Sequence, residues 1–147
     1  MPETLFSLVF VTAAPFWFLM IVLPAWSWTH RIVSSPLIAA PAAAIYAVLA
    51  IPRLGDLLPA VARPTIDSVT ELLATPDGTA LGWAHFIAFD LFVGRWMYLD
   101  ARERGIHPVL MAPILLLTIL LGPLGFLLYL AVRFLPVGKR RETREAS

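Results

Sequence analysis

An unbroken apolar run of about twenty residues has two stable fates in water-based biology, a large protein core or a lipid bilayer. This 147-residue chain carries four such runs, at residues 5–26, 32–51, 81–99 and 109–135. A chain of this length makes one small domain, whose core could not hide so much apolar surface. Only 14% of its residues are charged, against about 25% in an average soluble domain, and its mean hydropathy is +0.80. The pattern predicts an all-α integral membrane bundle of four transmembrane helices. Residues 1–136 would form a single four-helix transmembrane domain and residues 137–147 a short basic cytoplasmic tail.

The runs differ in character. The first contains Pro15 and Pro24 and ends near Trp26, Trp28, His30 and Arg31, an aromatic and basic edge suited to a membrane interface. Only Met1, Pro2, Glu3 and Thr4 precede it, without the positive charge that opens a signal peptide, so it is expected to be a retained helix. The second is rich in Ala, which lets helices approach closely in lipid. The third contains His85, Asp90 and Arg95. The fourth is aliphatic up to Gly122-Pro123 and Gly125, where a kink is expected.

Residues 52–80 are too polar to span. Within them Ile66, Val69, Leu72 and Leu73 follow Pro64-Thr65 at helical spacing, which predicts a short amphipathic helix on the membrane surface. Pro76-Asp77-Gly78 reads as a turn. With four spans, the N-terminus, the middle loop and the tail share one side with Arg53, Arg63, Arg133, Lys139, Arg140, Arg141 and Arg144. The other side has Arg31, Arg102 and Arg104. The excess of positive charge places both termini in the cytoplasm.

Several functions are disfavoured. A net charge of +1, with basic residues at helix ends rather than across one face, does not suit nucleic acid. The absence of Cys excludes disulfides and thiol chemistry. His30, His85 and His107 lack companions at metal-ligand spacing, so no metal site and no cofactor are expected. There is no phosphate loop, nucleophile elbow or nucleotide-binding fingerprint.

Chemistry concentrates in the third run. An ionised Asp at the centre of a membrane helix costs roughly 2.5 to 3.5 kcal/mol, so Asp90 must be protonated, paired or turned to a polar cavity. Arg95 lies five residues away, about 140° around a helix, and does not stack on Asp90 as an i, i+4 partner would. On a helix Trp83, Ile87, Asp90, Gly94 and Met97 share one face, and His85, Phe89, Phe92 and Trp96 another. Each residue also has a structural reading: an interhelical polar contact for Asp90, snorkelling for Arg95, and an interfacial contact for His85. The aromatic residues suit packing, lipid contact or a polyene pocket. Asp100, Arg102, Glu103 and Arg104 read as a solvated helix end, and Tyr46 and Tyr129 cannot be placed from sequence.

The string Trp83-x-His85-Phe86-x-x-x-Asp90-Leu91-Phe92-x-Gly94-Arg95, then Asp100 and the Pro-Leu-Gly step at Pro123 to Gly125, resembles the abscisic-acid-deficient-four-like membrane family. Plant members of that family are required for neoxanthin formation. The resemblance is strongest over residues 83–133, and without a plastid transit peptide the chain looks like a bacterial-type relative at home in an inner membrane. It implies a carotenoid-like or other isoprenoid ligand and an epoxide isomerisation without net redox change. The implied catalytic set is Asp90 and His85 for proton transfer and Arg95 for charge on oxygen. The implied substrate-binding set is Trp83, Phe86, Gly94 and Trp96. A scaffold or accessory subunit of a membrane enzyme complex, or a homo-oligomer, is the competing expectation. A small transporter fits less well, because four short spans without a repeat offer little for alternating access.

Overall fold

The computed structural model describes residues 1–135, and every described element is helical. The elements are α1 (Pro2–Val22), α2 (Ser27–Val33), α3 (Ala40–Ala50), α4 (Leu54–Ala62), α5 (Ile66–Leu73), α6 (Pro76–Glu103), α7 (Pro108–Leu120) and α8 (Gly122–Phe134). Short 3-10 segments at Pro36–Ala39 and Ile51–Arg53 flank α3. The expected tail at 137–147 lies outside the described residues.

Two stretches, Pro2–Val22 and Pro36–Ala62, are long and apolar enough to cross a membrane. Only 22% and 28% of their apolar windows are buried, so neither is the shielded core helix of a soluble protein. Their outward residues include Phe18 at 55% and Val48 at 60% exposure, apolar surface of the kind that a membrane or a partner covers.

The chain divides into two compact units, Met1–Ala14 with Ala39–Phe89, and Pro15–Ile38 with the chain from Asp90 on. Both α1 and α6 run through the two units. In the first unit, Val9, Ala42, Ile45, Leu49, Ala84 and Ile87 are buried. The expected amphipathic helix is α5. Its Thr65 side chain accepts from Ser68 N at 3.1 Å while the Ser68 hydroxyl accepts from Thr65 N at 3.0 Å, a reciprocal cap that fixes its start. The middle segment also contains α4, which sequence did not single out.

Pro76-Asp77-Gly78 is not a turn but the first turn of α6. The Thr75 hydroxyl accepts from Gly78 N at 3.0 Å, Pro76 needs no N–H at that position, and Asp77 faces the positive helix end. Arg53 reaches Asp77 at 2.5 Å and ties the end of the second apolar run to the start of α6.

In the second unit, α6 closes at Gly105, whose φ of +67° suits a residue without a Cβ. Ile106 N donates to Ala101 O at 2.9 Å and Gly105 N to Arg102 O at 3.2 Å, the paired bonds of a glycine-terminated helix. His107 Nδ1 then accepts from Val109 N at 3.2 Å and starts α7.

The fourth apolar run is not one kinked helix. It is two helices of 13 residues each, broken at Leu121, where φ is −143° and ψ 70°. The second folds back along the first. At the near end of the hairpin Gly122 lies against Asp90, and Thr118 Oγ1 lies 4.0 Å from Met97 Sδ. Further along α8, Trp96 meets Phe126 and Tyr129 at ring separations of 6.0 and 5.6 Å. At its far end Arg133 reaches Asp100 at 2.8 Å. Thus α7 runs back along α6 and α8 returns beside it. Pro123 at the second position of α8 permits the restart, and a Cβ on Gly125 would come within 2.6 Å of Thr118 N, so only glycine allows this approach.

Candidate functional site

Asp90 lies near the middle of α6 and is partly exposed. Its carboxylate is the first group that a Cβ on Gly122 would strike, so the acid sits against the residue that opens α8. At the start of α8 the N–H groups of Leu124 and Gly125 donate to Leu121 O and Pro123 has none, so Gly122 N–H is the one backbone donor this end of the helix can offer to the neighbouring carboxyl group. Leu121 and Leu124, on either side of this apex, are 53% and 54% exposed. A polar group thus sits beside open apolar surface.

Of the three ways to accommodate Asp90, pairing with Arg95 is the one the geometry removes. Arg95 Nε donates to Val33 O at 2.8 Å and its terminal nitrogen donates to Ser34 O at 2.5 Å. It satisfies carbonyls at the end of α2. Among the described residues Asp90 has no ion-pair partner.

Gly94, expected to permit close approach, is buried against the Trp17 indole. Trp96 is engaged by Phe126, by Tyr129 edge-on, and by the Arg133 guanidinium 5.5 Å from its ring centre. These contacts belong to the second unit. The other expected residues belong to the first: Trp83 stacks on Phe6 at 5.1 Å, and its Nε1 is buried with no hydrogen-bond partner among the described residues. His85 is exposed, with Phe89 at 4.9 Å and Tyr46 at 5.8 Å between ring centres. Phe86 is 58% exposed. Asp90, His85 and Arg95 therefore lie on one helix, and Arg95 turns to α2.

A polar cluster that sequence treated as a solvated helix end is the most connected one. Asp100 Oδ2 accepts from the buried Tyr129 hydroxyl, from Arg133 Nε at 2.8 Å and from Arg104 Nε at 2.9 Å, and Oδ1 accepts from Arg133 at 3.2 Å. Burial pushes the Asp100 carboxyl up, but the hydrogen bonds from Arg133 and Tyr129 and the charges of Arg104 and Arg133 outweigh it and hold it below the usual carboxylate range. Nearby, the Tyr98 hydroxyl donates to Pro24 O at 2.7 Å and Arg102 donates to the same carbonyl at 3.2 Å. The sequence signal for this cluster was Asp100 with Arg104 at i, i+4 spacing. Tyr129 and Arg133 are 29 and 33 residues away and meet Asp100 because the hairpin folds back.

No curated protein and no solved structure matches the chain. The model of the family described as ABA DEFICIENT 4-like matches residues 4–129. That match covers most of the sequence, including α6, the hairpin apex and Tyr129, and the chain belongs to the ABA DEFICIENT 4-like family.

Proposed function

We propose that this protein holds a carotenoid-like lipid within the membrane and promotes isomerisation of an epoxide on it. The observation that carries the reading is the placement of Asp90: a carboxyl group at mid-helix, beside the exposed apolar apex of α7 and α8, without an ion-pair partner among the described residues. An elongated polyene needs apolar surface along most of its length and a polar group only where its oxygen sits. Family membership and the two apolar stretches long enough to cross a membrane support a neoxanthin-related membrane role.

In this reading Asp90 gives a proton to the epoxide oxygen as the carbon–oxygen bond opens, and a base takes a proton from the adjacent polyene carbon. The epoxide becomes a hydroxyl group, a carbon–hydrogen bond is exchanged for a new double bond, and no electrons are gained or lost. His85, the base implied by the resemblance, lies on another face of α6 beside Phe89 and Tyr46, so the carboxylate that Asp90 becomes after giving its proton is the candidate base. Arg95 is assigned to holding α2, so its influence on chemistry runs through the position of α6.

The test is extraction and mass analysis of lipids copurifying with the wild-type protein and with Asp90→Asn, both expressed in carotenoid-producing cells. The expected result is a polyene enriched by the wild type and an isomer whose formation stops in the variant. Ordinary bilayer lipids in both samples would move the assignment to an accessory subunit. A folded Asp90→Asn protein with full conversion would remove Asp90 from the mechanism.

A further inference from the structure

We infer that α7 and α8 form a re-entrant hairpin: the chain enters the membrane from the side on which α6 ends, turns at Leu121 and Gly122, and leaves on that same side, which is the cytoplasmic one. The Met1 end and the Arg133 end then lie on opposite faces, contrary to the four-span expectation.

Length is the first argument. Each helix has 13 residues, about 20 Å by helical rise, and the hydrocarbon core is about 30 Å thick. Neither can cross alone.

Register along α6 is the second. Gly122 lies beside Asp90, Tyr129 and Arg133 bind Asp100, and Arg104 binds the same carboxylate. Ten residues of α6 separate Asp90 from Asp100, about 15 Å of rise, and the seven residues from Gly122 to Tyr129 cover the same direction. A helix that continued across the membrane would carry Tyr129 and Arg133 away from Asp100 instead.

The turn can also exist at membrane depth. Irregular backbone in lipid must have its polar groups met internally. Leu121 N donates to Leu117 O at 2.7 Å, while Leu121 O accepts from Leu124 N at 2.9 Å and Gly125 N at 3.1 Å. Gly122 is buried.

Charge gives the sides. If the apolar runs before the hairpin cross three times, Arg53 and Arg63 share the Met1 side, and Arg31, Arg102, Arg104 and Arg133 share the other. Among the described residues that flank the runs, the Lys and Arg distribution becomes four against two, where a fourth crossing would make it three against three. Positive charge collects on the cytoplasmic side, where anionic headgroups attract it.

The chain has no Cys, so single reporters can be placed without background. Glu3→Cys, Asp67→Cys, Glu103→Cys and Ser147→Cys would each be exposed to a membrane-impermeant maleimide in intact cells and again after permeabilisation. The expected result is labelling of Glu3→Cys and Asp67→Cys in intact cells, with Glu103→Cys and Ser147→Cys labelled only after permeabilisation. If Ser147→Cys labels together with Glu3→Cys and Asp67→Cys while Glu103→Cys differs, the fourth run spans and the hairpin is overturned. If all four reporters exchange sides, the assignment of the cytoplasmic face is overturned. A variant that fails to label after permeabilisation is replaced by its neighbour Thr4→Cys, Ser68→Cys, Arg102→Cys or Ala146→Cys. None of these outcomes depends on which ligand the protein holds.

Discussion

The Tyr129 hydroxyl donates to the Asp100 carboxylate, joining α8 to the end of α6 across 29 residues of chain. Tyr129 is fully buried, and its ring also packs edge-on against Trp96. Removing the hydroxyl while keeping the ring isolates the hydrogen bond. Tyr129→Phe is expected to lower stability in detergent by about 1.5 kcal/mol, the scale of a hydrogen bond to a charged group. Thermal unfolding checks it, and an unchanged midpoint would mean the contact contributes nothing.

The same carboxylate sets a pH dependence. Its folded value is below its ordinary one, so ionised Asp100 stabilises the folded state at pH values above the ordinary carboxylate range. That contribution is lost as pH falls through the folded value. Unfolding midpoints measured from about pH 7 to about pH 3 should fall more for the wild type than for Asp100→Asn, which has no such carboxylate to protonate. Parallel curves would remove Asp100 as the source.

The hairpin depends on Gly125. A Cβ there would meet the Thr118 backbone, which cannot move aside as a flexible side chain can. Gly125→Ala is expected to destabilise by about 1–3 kcal/mol, the usual cost of overpacking. Gly55, with nothing within 4 Å of an added Cβ, is the control. Gly55→Ala should be neutral or stabilising by up to about 1 kcal/mol, because it lies in a helix. Equal effects at both positions would deny the close approach.

Arg95 and Asp90 are expected to act independently. Arg95 binds the carbonyls of Val33 and Ser34, so Arg95→Lys should loosen the end of α2 whether or not Asp90 is ionisable. In a double-mutant cycle with Asp90→Asn, the stability effects should add to within about 0.5 kcal/mol. A larger coupling would show that the two groups interact after all.

Much of this architecture was legible in sequence because it is local. The apolar runs, the amphipathic periodicity of α5 and the string around Asp90 are set by neighbouring residues, and so was the family. Helical geometry showed only that Arg95 does not stack on Asp90 as an i, i+4 partner would; pairing stayed open until the contacts of Arg95 with Val33 O and Ser34 O were seen. The start of α6 was misread although its signal was present: Thr75-Pro76-Asp77 suits a helix N-terminus as well as a turn, and only the continuation as helix decides between them.

What sequence alone determined, then, is the helical class, the spacing of apolar runs and the isolation of a carboxyl group within one of them, since each depends on hydropathy and a 3.6-residue period. The tertiary structure decided that Gly122-Pro123 is a reversal rather than a kink, that Arg95 serves α2, and that Asp100 gathers Tyr129, Arg104 and Arg133. The physical reason is that a glycine and a proline permit either a bend or a reversal with the same local chemistry. The choice is made by groups far apart in the chain, which meet only if α8 turns back.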